Sequence, residues 1–235
     1  MDILRLLETG RVELEGLVPW SSNYTFLTRV CTEAEEALAV YKPDKGERPL
    51  WDFASGTLCQ REQAACVVSE ALGWGLVPPT IVRDGPHGRG SLQQFIEHDP
   101  NQHYFTFGGQ HRRPLQQITA FDVVVNNADR KGGHVVVDDD GRLWAIDHGI
   151  CFHTEYKLRT VIWDFAGELI PADLLAGLRA LQQQLNDRLA PVSLALAGLL
   201  TRAEVAAMKR RLAGLVETAI FPEPGPGRHY PWPLV

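Results

Sequence analysis

Residues 126–134 read NNADRKGGH and residues 145–149 read AIDHG, and these two stretches decide the fold that we expect. The first stretch places Asp129 in a loop that follows a segment of helical spacing. The second places Asp147 directly after a short apolar run. Two carboxylates in nearby loops are able to meet in one site.

This pair of carboxylates suits phosphoryl transfer, a reaction that depends on positioning and charge neutralisation more than on covalent chemistry by the protein. We expect Asp129 to position the attacking hydroxyl or to accept its proton. We expect Asp147 to bind the metal that contacts the phosphates of ATP. The structural alternative makes Asp147 a turn residue and pairs Asp129 with Arg130 at the end of a helix.

Two residues upstream extend the hypothesis. Lys42 ends a strand-like run and precedes Pro43, so its ammonium could reach phosphates as a compact charge. Glu62 lies in the next helical segment, where its carboxylate could orient Lys42, although Glu70 is a competing partner. Each residue alone is more typical of an ordinary surface position. Their order ahead of the two aspartates favours the joint hypothesis.

The composition is that of a globular protein, with 235 residues of which 45% are hydrophobic and 22% charged. The net charge of -6 argues against non-specific binding to nucleic acid. No basic segment followed by an apolar run opens the chain, and no apolar run is long enough to span a bilayer. The four cysteines lack metal-ligand spacing and are expected to be reduced thiols. We therefore predict a cytoplasmic protein without a nucleic-acid partner, and the sequence leaves its oligomeric state open.

Strand patterns dominate the N-terminal part of the chain, and helical spacing dominates the C-terminal part. The predicted strands lie at residues 11–16, 24–30, 37–42, 80–83 and 91–96, with one helix at 58–72. Farther on, the sequence predicts a hairpin over 135–146 and helices between 172 and 218. This order predicts an α+β fold of two lobes, a β-rich N-lobe over residues 1–97 and a mainly helical C-lobe over residues 98–235.

The segment from Leu115 to Asn127 is ambiguous. Its Val123-Val124-Val125 run favours a strand by propensity, whereas its apolar residues recur at helical spacing. We predict a helix, in part on the resemblance described next. The Pro-rich tail after Phe221 cannot continue a helix, and we expect Tyr230 and Trp232 to pack it onto the domain.

Six segments resemble those of a known family. They lie at residues 21–25 (SSNYT), 39–43 (AVYKP), 46–53 (GERPLWDF), 61–65 (REQAA), 127–130 (NADR) and 146–149 (IDHG). In these segments the chain is similar to small actinobacterial proteins of the phosphatidylinositol 3- and 4-kinase-like family. Their protein-kinase-like fold also includes the HipA-type bacterial toxin kinases. The resemblance spans roughly residues 10–170, and the Asn-X-Asp-Arg and Ile-Asp-X-Gly segments are its specific part.

The resemblance implies a role for each matching residue. Lys42 contacts the α- and β-phosphates of ATP, and Glu62 orients it. Asp129 is the catalytic Asp, and Asp147 binds Mg²⁺ or Mn²⁺. We expect Arg130 and Lys42 to be catalytic residues as well. Further nucleotide contacts are expected from a phosphate loop and from the hinge strand that pairs with adenine, namely Ser21, Ser22, Asn23, Gln94, Phe95 and Ile96.

One residue departs from the family's pattern. These kinases usually carry Asn five residues after the catalytic Asp, as the second metal ligand, and this chain has His134 there. Imidazole suits softer metals than Mg²⁺, which prefers oxygen ligands. We therefore predict that the protein prefers Mn²⁺ to Mg²⁺.

The sequence thus favours an ATP- and divalent-metal-dependent kinase whose acceptor is left open. The acceptor is either a protein Ser or Thr hydroxyl, including one of the chain's own, or an inositol-lipid-like hydroxyl. Two alternatives remain. One is transfer of AMP on the same fold, with ATP bound in reverse. The other is a nucleotide-binding pseudokinase with a regulatory role, which His134 favours and which Lys42, Asp129 and Asp147 together disfavour.

Overall fold

The N-terminal part of the protein is built around an antiparallel sheet. The computed structural model describes residues 2–18 and 24–235. The strands of the sheet are β1 Arg11–Leu17, β2 Phe26–Cys31, β3 Glu36–Pro43, β4 Thr80–Gly85 and β5 Gly88–Gln94. They pair antiparallel in the order β1-β2-β3-β5-β4. Lys42 of the central strand β3 pairs with Ser91 of β5.

Helix α1 (Ile3–Thr9) covers one face of this sheet. Asp2 caps the helix because its Oδ1 accepts a hydrogen bond from the Arg5 N–H at 3.2 Å. Alternate positions of the strands point their apolar side chains at this helix, which creates a small core. Its buried members are Leu6, Leu7, Val30, Ala39, Tyr41, Ile81 and Leu92.

Helix α2 (Leu58–Ala71) joins the sheet to the C-terminal part. The Gln63 side chain accepts a hydrogen bond from the Val82 N–H of β4 at 3.1 Å. The opposite side of the helix presents Ala64, Ala65 and Val68 to a second, larger core. Small side chains let the helix approach this core closely, so α2 is fixed from both sides.

Helices make up most of the regular secondary structure of the C-terminal part. Apolar residues of α3, α4, α5 and α6 form the larger core, together with those of a short hairpin of two strands. These elements are α3 Arg112–Val125, β6 Val135–Val137, β7 Leu143–Ala145, α4 Ala172–Asn186, α5 Pro191–Leu199 and α6 Arg202–Thr218. A β-rich N-terminal part followed by a helical C-terminal part confirms the predicted α+β class.

Helix α3 resolves the ambiguous segment in favour of a helix. Every residue from Ile118 to Val125 is buried, so the valines at its end are held by packing and not by their strand propensity. Asn126 ends the helix with a φ of 57°, a left-handed conformation that Asn adopts more readily than most residues. The chain therefore reverses just before the loop that carries Asp129.

Two details differ from the expectations. The strand predicted at residues 91–96 is Gly88–Gln94, because pairing with β4 begins inside the glycine-rich turn and ends before Phe95. The tail is not held by Trp232, whose surface is 77% exposed, or by Tyr230, which is 45% exposed. Phe221, which is fully buried, anchors it instead.

The cysteines are free thiols, and three of the four are buried. Burial raises the pKa of the Cys66 thiol to about 11, so this group stays protonated at neutral pH. Within residues 2–18 and 24–235, no helix is both long and apolar enough to cross a membrane. The cytoplasmic location stays a prediction from the sequence.

Candidate active site

Lys42 lies between two carboxylates where the sheet meets helix α2. Its Nζ lies 2.5 Å from Glu62 Oε1 and 2.9 Å from Asp147 Oδ1. The three residues come from β3, from α2 and from the loop after β7, so folding alone brings them together. The Glu62 side chain is 3% exposed and that of Asp147 is 45% exposed. A ligand therefore reaches this cluster from the side of Asp147.

The opposite charges of Lys42 and Asp147 shift the pKa values of both groups so that each stays ionised at neutral pH. Burial alone would lower the pKa of Lys42, but Asp147 and Glu62 outweigh this effect and raise it. Desolvation would raise the pKa of Asp147, yet Lys42 and His134 lower it well below its usual range. Burial raises the pKa of Glu62 against the opposing effect of Lys42. At neutral pH the site thus offers an ammonium for phosphate and an ionised Asp147 for a cation.

Asp147 has a left-handed backbone conformation. Its φ is 60°, in the left-handed region where Asp is more common than most residues. The next residue, His148, donates its N–H to Glu62 Oε2 at 2.9 Å. Glu62 is therefore held by a side chain and by the turn itself, which ties the helix to the Asp147 loop. Unusual backbone conformations of this kind concentrate at functional sites.

Asp129 occupies the loop that follows α3. Its N–H donates to Asn127 Oδ1 at 2.9 Å, and its Oδ2 lies 3.1 Å from Lys131 Nζ. Burial raises the pKa of Asp129 to about 6, although Lys131 opposes the shift. A carboxylate whose pKa lies close to neutral pH is a better proton acceptor than an ordinary one.

Arg130 is fully buried, with no exposed surface. Its Nε and Nη2 donate to the two carboxylate oxygens of Asp122 at 2.8 and 3.0 Å. Its Nη1 donates to the carbonyls of His134 and Ile146 at 3.0 and 2.8 Å. Since these donors are used inside the protein, the structure places Arg130 behind the two loops. It supports them there and has no surface on which to contact reacting groups, contrary to the catalytic role expected from the sequence.

His134 links the two aspartates. Its Nδ1 lies 3.0 Å from the Asp129 carbonyl oxygen and its Nε2 lies 3.3 Å from Asp147 Oδ2. Burial lowers the pKa of His134 to about 4, so the ring is neutral at neutral pH. A carbonyl can only accept, so Nδ1 carries the hydrogen and the Nε2 lone pair faces the carboxylate. Two facing lone pairs form a donor set that fits a divalent cation.

The structure gives less support to the other nucleotide contacts expected from the sequence. Ser21, Ser22 and Asn23 lie outside the described residues. Gln94 and Phe95 donate their N–H groups to carbonyls within the protein at 2.9 and 3.0 Å. The Ile96 carbonyl oxygen lies 2.7 Å from a histidine nitrogen. The hinge strand thus follows the sheet, with much of its backbone already engaged.

Sequence reasoning missed two residues of this site and assigned no role to a third. Lys131 lies beside Asp129, and its position two residues after that aspartate was an available signal. Asp122 pairs with Arg130, which no local pattern indicates because the chain reverses between them. His148 contributes its backbone N–H to Glu62 and lies, through Nε2, 2.7 Å from Arg130 Nη2.

Comparison with known sequences identifies relatives. Residues 78–185 match the family described as Phosphatidylinositol 3- and 4-kinase. The chain is 38% identical to Protein Rv2133c of Mycobacterium tuberculosis over 263 aligned positions, which cover 97% of this chain and 94% of that protein. It is also 31% identical over 108 residues to Phosphatidylinositol 4-kinase gamma 4 of Oryza sativa subsp. japonica, covering 42% of this chain and 19% of that protein.

Solved structures share the fold. A hydra Fam20 structure with sugar has a TM-score of 0.59 at 14% identity, covering 93% of this chain and 87% of that one. The Helicobacter pylori proinflammatory kinase CtkA has a TM-score of 0.57 at 10% identity, covering 91% and 93%. The Golgi casein kinase with Mn/ADP bound has a TM-score of 0.55 at 16% identity, covering 93% and 74%. With this fold and these relatives, the chain belongs to the phosphatidylinositol 3- and 4-kinase-like family of phosphotransferases.

Proposed function

We propose that the protein is an ATP- and divalent-metal-dependent kinase that transfers the γ-phosphoryl group to a hydroxyl. One observation carries the proposal. Lys42 lies between Glu62 and Asp147, and His134 connects Asp147 to the loop of Asp129. Turn formation explains either aspartate alone, but it does not explain why distant elements converge on one charged cluster.

Each side chain has a defined task in this reaction. Lys42 neutralises phosphate charge of the bound nucleotide, and Glu62 keeps its ammonium in place. Asp129 orients the acceptor hydroxyl and takes its proton as the hydroxyl oxygen attacks the γ-phosphorus. The bond from that phosphorus to the bridging oxygen breaks, and ADP departs with the electron pair. Lys131 lies close enough to Asp129 to offset charge on the group in transfer.

Asp147 and His134 would hold the divalent metal. A bound metal supplies charge neutralisation and orientation of the phosphates. The imidazole nitrogen of His134 replaces an oxygen ligand, which favours Mn²⁺ over Mg²⁺. Equal rates with the two metals at matched concentrations would contradict this preference.

We propose that adenine binds at the hinge. Because the N–H groups of Gln94 and Phe95 and the Ile96 carbonyl are engaged, pairing with the base falls to the Ile96 N–H and the backbone of Glu97. The same place is the proposed boundary between an N-lobe of residues 1–97 and a C-lobe of residues 98–235. Ser21, Ser22 and Asn23, which lie outside the described residues, stay the proposed phosphate contacts.

The proposed acceptor is a hydroxyl of a protein Ser or Thr, including one of the chain's own, or of an inositol-lipid-like molecule. In both cases the hydroxyl has to reach Asp129, whose side chain is 24% exposed. The carboxylate is therefore partly accessible to an acceptor.

Product analysis tests the proposal. The protein is incubated with ATP and either Mn²⁺ or Mg²⁺, and its intact mass and the nucleotide products are measured. Asp129→Ala serves as the test variant and Asp140→Ala, in the exposed turn between β6 and β7, as the matched control. We expect ADP or a phosphoryl mass increment in the wild type and in the control alone. AMP transfer would instead yield an adenylyl increment, and a pseudokinase would bind ATP without turnover.

A further inference from the structure

The Pro-rich tail, residues 220–235, borders the loop that carries the proposed catalytic aspartate. The Gly132 N–H in that loop donates to the Leu234 carbonyl at 2.7 Å. On the other side of the loop, the Thr160 N–H donates to the His229 carbonyl at 3.1 Å. The last part of the tail therefore contacts both the loop and the strand-like segment beside it.

The two residues that lead into the Pro-rich segment are firmly attached to the helical part. Ile220 forms an antiparallel bridge with Leu169, and Phe221 has no exposed surface. Farther on, the His229 carbonyl accepts a second hydrogen bond, from Trp163 Nε1 at 3.3 Å. These attachments make the tail a fixed wall of the fold along this side of Asp129.

The loop lies within contact distance of this wall. A Cβ atom at Gly132 would lie 3.5 Å from the Leu234 carbonyl oxygen, and one at Gly133 would lie 3.7 Å from Val235 Cγ1. On its other side, a Cβ atom at Gly132 would lie 2.7 Å from the Phe105 ring, so that ring would have to move. The loop and the tail are therefore direct neighbours.

The wall carries a guanidinium whose charge acts at the proposed base. Arg228 is exposed, and its Nε donates to the Tyr230 carbonyl at 3.3 Å. It forms no ion pair with the residues that the structure describes. Arg228 directly precedes His229, whose carbonyl accepts the Thr160 N–H. Thr160 in turn bridges Arg130, the residue after Asp129. Burial raises the pKa of Asp129, and the positive charge of Arg228 opposes that rise. Arg228 is therefore an unpaired cation near the place where the acceptor has to bind.

We propose that the tail forms the acceptor-side wall of the active site, and that Arg228 binds an anionic group, a phosphate or a carboxylate, carried by the acceptor. A guanidinium presents several N–H donors in a plane that matches the oxygens of such a group. The anchored anion would hold the neighbouring hydroxyl beside Asp129. This inference rests on the proposed kinase function and specifies the class of acceptor.

Binding of inorganic phosphate tests the anion site without any turnover. The protein is first saturated with Mg²⁺ and a non-hydrolysable ATP analogue, which occupies the nucleotide phosphate site. Phosphate is then titrated calorimetrically into the wild type, Arg228→Gln and the matched control Arg202→Gln. Arg202 is an exposed arginine at the start of α6, away from the tail contacts described here. We expect saturable binding in the wild type and the control, and at least tenfold weaker binding in Arg228→Gln.

The absence of saturable binding in the wild type, or equal binding in all three proteins, would overturn the inference. Transfer assays then identify the source of the anion. Glycerol is compared with glycerol 3-phosphate, and vesicles containing the uncharged lipid diacylglycerol with vesicles containing phosphatidylinositol, which carries a phosphate. Preference for a phosphorylated member, lost in Arg228→Gln, supports the inference; equal transfer within both pairs overturns it. The absence of any ATP turnover would contradict the proposed kinase function. That result is distinguishable from a failure of the anion site, because the phosphate titration requires no turnover.

Discussion

Replacement of Arg130 by Met should lower the free energy of unfolding, because it leaves the Asp122 carboxylate buried without its partner. The Asp122 and Arg130 side chains are 1% and 0% exposed, and their pairing is bidentate. Removal of one partner from such a pair costs about 3–5 kcal/mol. The same variant loses the hydrogen bonds that Arg130 donates to the His134 and Ile146 carbonyls. A loss of about 4 kcal/mol is a large share of the roughly 5–15 kcal/mol that typically stabilises a protein.

Urea unfolding, followed by circular dichroism, measures this loss. Arg112→Met is the matched control, because Arg112 forms an exposed ion pair with Glu168 of the kind that contributes about 0–1 kcal/mol. The double variant Asp122→Leu with Arg130→Met should recover most of the lost stability, since no unpaired charge remains buried. An Arg130→Met protein within about 1 kcal/mol of the wild type, yet devoid of transfer activity, would refute this reasoning. It would return Arg130 to a direct role in catalysis.

Three further predictions concern the site itself. Lys42→Met should lower the rate of transfer by about 10²-fold or more, because the nucleotide phosphates lose the fixed charge of the ammonium. Steady-state ADP release measures this rate, and an unchanged rate would contradict the role given to Lys42. The rate should fall as pH decreases through about 6, since protonated Asp129 cannot accept a proton; a pH–rate profile of kcat/KM that stays flat around this value would contradict it. His134→Asn should shift the ratio of Mn²⁺-supported to Mg²⁺-supported rates toward Mg²⁺, because an amide oxygen replaces the imidazole nitrogen; an unchanged ratio would show that His134 does not bind the metal.

The fold was largely predictable because its strands and helices carry local signals. Residues 38–43 alternate partly buried and buried side chains, and the Gly- and Pro-rich residues 84–90 contain the turn between β4 and β5. The segment ending in Val125 misleads by propensity, because α3 is surrounded by the core and packing overrides the preference of valine for strands. The helical spacing of the segment's apolar residues, together with the family resemblance, predicted the helix that the structure shows.

The site was predictable only in part. Lys42, Glu62, Asp129 and Asp147 stand in an order that resembles a known family, and the structure brings the first two together with Asp147. The setting of Arg130 was not predictable, since its partner Asp122 becomes a neighbour only through the left-handed turn at Asn126. The tail was equally hidden, because a proline-rich composition excludes a helix without indicating where the chain is attached.

The most direct test of the central claim compares wild type with Asp129→Asn at equal nucleotide occupancy. Transfer of labelled γ-phosphate to a hydroxyl and the Kd for ATP are measured on the same preparations. If Asp129 accepts the proton of the attacking hydroxyl, transfer should fall by about 10²–10⁴-fold while the affinity for ATP stays nearly unchanged. Undiminished transfer in Asp129→Asn would contradict the account.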